Sequence, residues 1–148
     1  MNIDLEFLGA FDTVTGSKTL VTFKHRHYLV DCGLFQGPSE ARQMNWKDLS
    51  ISAKSIDAVF LTHAHLDHCG YLPRLYRNGF RGPIYCSKGT AQLADVILKD
   101  AAFLEEEQAE YARKTGYSRH ENPEPLFRVA DAEKVLDLFR PIDRHDWH

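Results

Sequence analysis

The chain has 148 residues, of which 18 are Lys or Arg and 21 are Asp or Glu, so its formal net charge is −3. Hydrophobic residues make up 43% of it, but no apolar run approaches the ~18 residues that a membrane helix needs, and the composition is that of a globular domain. Three cysteines without a C-x-x-C pair exclude a disulfide scaffold and favour reduced thiols, so we expect a cytoplasmic protein with no membrane partner.

Strand patterns dominate the first sixty residues. Alternating or continuous apolar runs predict four strands, over 3–8, 19–23, 28–30 and 58–61. The second and third form a predicted hairpin with His25 and His27 exposed in its turn. The fourth is apolar throughout, which predicts a strand buried on both faces. A short helix is expected near 37–44.

Helical spacing is the main signal after residue 70. Helices are predicted from Leu72 to Tyr76, from near Gly89, from Ala101 to about Lys114, and from Asp131 until Pro141 stops it. Another short strand is expected over 83–86. Leu93, Ile97 and Leu98 mark the predicted buried stripe of the second helix. The acidic run 105–107 is expected on a solvated helix face. Strands first, then alternating strand and helix, predict an α/β fold.

Four potential metal ligands, His63, His65, Asp67 and His68, follow the fourth predicted strand within six residues. Two residues apart in an extended stretch, His63 and His65 project to the same side, so both imidazoles can reach one ion. Asp67 and His68 come at the turn into a helix, where they can face a second ion. Imidazole nitrogen and carboxylate oxygen are zinc ligands, whereas a merely polar loop would not gather them at a strand end.

The pattern H-x-H-x-D-H after a strand resembles the metallo-β-lactamase superfamily. Three flanking segments, 13–17, 70–73 and 80–86, further resemble its β-CASP branch, which includes RNA 3′-end-processing endonucleases. The resemblance covers essentially the whole chain, 1–148. It implies an α/β fold that forms part, roughly the N-terminal half, of the αβ/βα sandwich of that superfamily.

The resemblance also implies roles for individual residues. His63 and His65 would hold a first zinc, and Asp67 and His68 a second, with Asp67 also the candidate catalytic residue. Asp31 would accept the imidazole N–H of a ligand histidine and fix its tautomer. Ser17 and Lys18 would lie near the loop bordering the site, although a solvated strand start explains them equally well.

Family members complete the site with further ligands, and this sequence does not offer them in the expected surroundings. The remaining downstream histidines, His120, His145 and His148, lack the glycine-rich turn of the next family motif. The β-CASP insertion is absent as well. We therefore expect a partial domain with little nuclease activity by itself. Uncovered apolar surface on half a sandwich would favour aggregation or a homodimer.

The function implied for the parent protein is zinc-dependent hydrolysis of an RNA phosphodiester, with single-stranded RNA as partner. Three alternatives stay open. One is another hydrolase of the superfamily that acts on a thioester, and one is a DNA-directed nuclease. The third is an inactive binding or scaffolding subunit, against which the intact metal motif argues.

Overall fold

The computed structural model describes residues 2–116 and 123–143, and in this part of the chain six strands form one sheet in chain order. The strands are β1 Ile3–Gly9, β2 Lys18–Phe23, β3 Arg26–Val30, β4 Ala58–Phe60, β5 Ile84–Ser87 and β6 Phe139–Ile142. The first three pair antiparallel, and β3 to β6 are parallel. The predicted α/β class is therefore present as a mixed sheet.

Five helices accompany the sheet in the described residues. They are α1 Ser39–Gln43, α2 Leu66–Cys69, α3 Leu72–Arg77, α4 Lys88–Thr115 and α5 Val129–Leu136, with 3₁₀ turns at Met44–Trp46 and Ala53–Ser55. In the region that the structure describes, no helix combines the length and apolar character needed to cross a membrane.

The core is one row of apolar side chains that crosses five strands. Register pairs Leu20 with Leu29, Leu29 with Val59, Val59 with Ile84, and Ile84 with Phe139. All five are buried in the same cluster as helix residues such as Leu72, Leu98 and Val135. Since side chains alternate across a strand, these five lie on one face of the sheet. Their shared cluster with helix residues shows that the helices cover this face.

The opposite face of the sheet is left uncovered by the part of the chain that the structure describes. Phe7, Thr19, Val30, Phe60 and Tyr85 lie in register on it, across β1 to β5. Phe7 is 56% exposed and Phe60 42%. The expectation of a strand buried on both faces at 58–61 is therefore wrong for Phe60, since none of the described helices packs over its side. The Phe60 ring stacks on Tyr85 instead.

The β2–β3 hairpin turns within two residues, Lys24 and His25, both with positive φ. Two such residues match the right-handed twist of the flanking strands. His25 is exposed as predicted, but His27 is not in the turn. It lies half-buried within β3, where its Nδ1 is 3.1 Å from Thr22 Oγ1.

Helix α4 replaces the two helices predicted between residues 89 and 114. Ser87 Oγ accepts the Thr90 N–H at its start, and Gly116 ends it in the left-handed conformation. Neither glycine nor proline occurs between these ends after Gly89, so no residue breaks the helix. Its buried stripe includes Leu98, whereas Leu93 is 60% exposed, contrary to prediction.

Two further expectations at the C-terminal side are corrected. The last helix begins at Val129, not Asp131, because Asp131 Oδ2 accepts the Arg128 N–H and so stabilises the first turn. The helix ends at Leu136, and β6 follows it. Pro141 lies in this edge strand, where no further strand of the described residues needs the N–H that proline lacks. Glu105 and Glu106 are half-buried and accept the backbone N–H groups of Leu126 and Val129, so this part of the acidic run is not simply solvated.

Candidate metal centre

Three imidazole rings of the histidine motif meet beyond the carboxyl end of β4. After Phe60 the chain bends at Thr62 and continues without regular structure to His65, and α2 then begins at Leu66. The ring centroids of His63 and His65 are 4.6 Å apart, and those of His63 and His68 are 4.1 Å apart. This stretch and the helical turn thus bring together side chains that the sequence only placed near each other.

Asp67 joins this cluster from the first turn of α2. Its Oδ2 lies 3.5 Å from His68 Nε2, and both side chains are about a quarter exposed. All four predicted ligands therefore lie at one surface-accessible location.

Asp31 stands behind His68 at the end of β3. Its carboxylate is buried, and Oδ2 lies 2.8 Å from His68 Nδ1. Because a carboxylate oxygen only accepts, Nδ1 carries the proton, and in the neutral ring Nε2 keeps its lone pair on the side of Asp67. This is the geometry that the role predicted for Asp31 requires.

Thr62 is a functional candidate that sequence reasoning missed. Its N–H and its hydroxyl both donate to Asp31, at 2.9 Å and 3.0 Å from Oδ1. The same hydroxyl lies 2.9 Å from His63 Nδ1. Thr62 thus connects the buried carboxylate, which itself contacts His68, to His63 as well. Its position directly before the first motif histidine was the available signal.

Asp31 itself has a left-handed backbone, with φ 60°. Such a conformation is uncommon outside glycine, although aspartate tolerates it better than most residues. The hydrogen bonds from Thr62 and His68 stabilise it and point the carboxylate into the site.

Two loops hold the backbone of the motif in place. The N–H groups of Ser17, Cys32 and Leu34 donate to the carbonyls of Asp67, His68 and Leu66, at 2.9, 2.7 and 3.1 Å. A side chain at Gly33 would overlap the Asp67 carbonyl, so the chain can pass this close only with glycine there. Ser17 thus contacts the motif through its backbone.

Lys18 is the first residue of β2, but it is not the solvated strand start that was one of the two predicted alternatives. It is 1% exposed, and its Nζ lies between the rings of Phe35 and Tyr71. Burial lowers the pKa of the Lys18 ammonium to about 8.

The neighbouring cysteines are packing residues. Cys69 is buried, and its thiol donates to the Ala64 carbonyl at 3.4 Å. Burial raises the pKa of both Cys32 and Cys69 to about 12, so neither offers a thiolate at neutral pH.

The donor types in this cluster fit zinc, but their number around any one point is small. Across residues 2–116 and 123–143, no three His, Cys, Asp or Glu side chains are arranged to hold a single ion. A complete zinc site has about four ligands. The remaining downstream histidines, His120, His145 and His148, lie outside the described residues.

Residues 13–146 match the family model described as "Metallo-beta-lactamase superfamily". The chain belongs to this superfamily. Zinc is its typical metal, as the resemblance implied. The fold agrees: a metallo-beta-lactamase from Cronobacter sakazakii, a variant in its HARLDQ motif, superimposes with a TM-score of 0.51 at 20% identity. That match covers all of this chain and 50% of the other, which confirms the predicted partial fold of this superfamily.

Several curated relatives resemble the present chain more closely in sequence than the Cronobacter protein does. A ribonuclease from Thermus thermophilus is 40% identical over 139 residues, 94% of this chain and 28% of that protein. A transcription termination factor from Methanocaldococcus jannaschii is 37% identical over 98 residues, 66% of this chain and 16% of that protein. The cleavage and polyadenylation specificity factor 73 of Drosophila melanogaster is 29% identical over 97% of this chain and 19% of its own length.

These relatives confirm the predicted β-CASP resemblance. The chain spans less than a third of the length of each of the three.

Proposed function

We propose that the histidine motif binds zinc and serves the hydrolysis of RNA phosphodiesters. The observation that carries this proposal is the meeting of His63, His65 and His68, with Asp31 hydrogen-bonded behind His68. The 40% identity to a ribonuclease supports RNA as the substrate class.

We assign the ligands as two pairs. His63 and His65 would hold one zinc, and Asp67 and His68 a second. This division agrees with the finding that no three donors of the described residues surround one point. Bound zinc would neutralise charge on phosphate oxygens and lower the pKa of a water molecule.

The residues of the chain would then hold the ligand side chains in place and orient the attacking water. Asp31 keeps the His68 ring in place through Nδ1, and Thr62 links Asp31 to His63. Asp67 Oδ2, beside His68 Nε2, would accept a hydrogen bond from the attacking water, which is the catalytic role we assign to it. Single-stranded RNA would have to approach this exposed edge.

The first experiment measures zinc per chain on dialysed protein by elemental mass spectrometry. We expect one weakly held zinc or less in His63→Ala and more in the unmodified chain. His25→Ala, which removes an exposed histidine of the β2–β3 turn, is the matched control and should leave the zinc content unchanged. Equal zinc in His63→Ala and the unmodified chain would contradict the metal assignment.

The second experiment separates the substrate classes. Zinc-loaded chain is mixed with single-stranded RNA, with DNA of the same sequence, and with a small thioester. We expect slow cleavage of RNA alone, because paired ligands hold an attacking water poorly in line with phosphorus. Equal cleavage of DNA would favour a DNA-directed nuclease, and turnover of the thioester alone another hydrolase.

The remaining alternative is a binding or scaffolding subunit. It predicts that His63→Ala loses zinc but keeps its affinity for RNA, measured by fluorescence anisotropy. The nuclease proposal predicts that zinc-dependent RNA affinity is lost with the metal.

We also propose a cytoplasmic location and self-association as a homodimer. The free, buried thiols of Cys32, Cys69 and Cys86 support a reducing compartment. The uncovered sheet face supports a second copy as partner.

A further inference from the structure

Lys18 is a buried cation with few partners. Its Nζ lies 4.4 Å and 4.6 Å from the ring centroids of Phe35 and Tyr71. Its hydrogen bond to the Gly16 carbonyl is long, 3.4 Å, and no carboxylate of the described residues forms an ion pair with it. A lysine ammonium carries three donors. The rings compensate part of the desolvation, but the charge lacks an anion.

Lys18 and both of these rings also line a cavity of about 230 Å³. Its inner lining consists of Leu8, Lys18, Phe35, Met44, Leu49 and Tyr71. The mouth carries exposed polar side chains, among them Lys47, Asp48 and Ser50. At the mouth the charges of Lys47 and Asp48 are in water and largely offset each other. Inside, one positive group lies among apolar and aromatic walls.

We propose that this cavity binds a monoanionic group, a carboxylate or a phosphodiester, carried on an apolar or aromatic body. One negative charge would match the single ammonium and leave no net charge in the low-dielectric interior. The aliphatic and aromatic walls would bury the attached body. Larger charge would be excluded, since nothing inside could neutralise it. The site shares no side chain with the histidine cluster and does not depend on the proposed zinc chemistry.

The lowered pKa of Lys18 agrees with this assignment, because burial without an anion disfavours the charged form. A bound anion would favour the ammonium again. The two ligand sources, a free carboxylate or a phosphodiester of RNA, share this chemistry and are distinguished by the probes.

Isothermal titration calorimetry at pH 7 tests the site with four probes. Benzoate and the dinucleotide ApA each carry one negative charge, and benzamide and adenosine are their uncharged counterparts. We expect at least one anion to bind about tenfold or more tightly than its neutral counterpart. Binding of ApA identifies a phosphodiester source, and binding of benzoate alone a free carboxylate. If neither anion binds better than its counterpart, the proposal is wrong.

Two variants locate the binding. Lys18→Met keeps an unbranched apolar side chain one heavy atom shorter and removes the charge, and it should weaken binding of the anion about tenfold or more. Lys134→Met, on the exposed side of α5, is the matched control and should leave binding unchanged. Leu49→Trp fills the cavity without touching the charge and should also abolish binding, so it decides the matter if Lys18→Met does not fold. Undiminished binding by folded Lys18→Met or by Leu49→Trp would overturn the proposal.

Discussion

At the scale of single residues, the candidate site depends on the Asp31 carboxylate and on Gly33, neither of which is a candidate metal ligand. Asp31 receives hydrogen bonds from Thr62 and His68, and Gly33 lets the backbone pass the Asp67 carbonyl. Asp31 thus contacts the ring of one candidate ligand, and Gly33 the backbone of another. Their contributions can be measured without a substrate.

Asp31→Asn tests the carboxylate. Asparagine tolerates the left-handed backbone of this position, so the fold should persist. An amide polarises the His68 ring less, and we expect zinc affinity to fall about 10–100-fold, measured by competition with a chelator. Asp4→Asn, exposed on β1, is the control. An unchanged zinc affinity in Asp31→Asn would remove Asp31 from the site.

Gly33→Ala tests the close approach. The added methyl group would overlap the Asp67 carbonyl, and we expect a loss of about 3 kcal/mol in the free energy of unfolding, measured by urea denaturation. Gly89→Ala places a methyl group in open space in the first turn of α4, so it should be neutral or slightly stabilising.

Lys18 makes stability depend on pH. Its pKa falls from 10.5 to about 8 on folding, so the charged form destabilises the fold at neutral pH. That penalty is fully present below pH 8 and fades between pH 8 and 10.5, as the unfolded chain also loses the proton. The free energy of unfolding of Lys18→Met should therefore be about 3 kcal/mol higher than that of the unmodified chain at pH 7. The difference should disappear by about pH 11. A difference independent of pH would mean that Lys18 keeps its ordinary pKa.

At the scale of elements, apolar patterns predicted five of the six strands but could not tell which sides they bury. Phe60 lies within an apolar run, yet it is exposed because helices cover only the face to which Val59 points. Strand β6 was missed because Arg140 and Pro141 interrupt the pattern, and only pairing with β5 makes the segment a strand.

Helix α4 shows the same limit. Leu93 and Leu98 are both apolar, and only the packing of α5 and the sheet decides that Leu98 is buried. Within the site, the sequence pointed to the four candidate ligands and to Asp31, whose contact with His68 spans 37 positions of the chain. The link through Thr62 required the folded geometry.

A matched pair on α4 checks this assignment. Leu98→Ala should lower the free energy of unfolding by about 3 kcal/mol, because it leaves a cavity in the core. Leu93→Ala, on the exposed side of the same helix, should change it by less than about 0.5 kcal/mol. Equal losses would indicate that α4 is rotated about its axis relative to the structure.

At the scale of the whole molecule, the uncovered sheet face stands out because it exposes apolar side chains to solvent. Ile3, Leu5 and Phe7 on β1 are each more than half exposed, and they continue the row through Phe60. A contiguous apolar area of this kind is unusual on a monomer. We expect the isolated chain to associate with increasing concentration.

Sedimentation velocity over a hundredfold range of concentration measures that association. Leu5→Thr should weaken it, since threonine keeps the strand propensity and reduces the apolar area. Leu93→Ser, which removes an exposed leucine from the helical side, should not. Association that responds equally to both variants would place the contact elsewhere.

The order of strands in the sheet has a consequence for synthesis on the ribosome. Each strand after β1 pairs with the one made immediately before it, so the sheet can grow by addition at one edge as the chain emerges. Asp31 directly follows the third strand, but its carboxylate is held by Thr62 and His68, which follow the fourth. The support for His68 can thus form only after β4 has been added to the growing sheet and the motif has been synthesised.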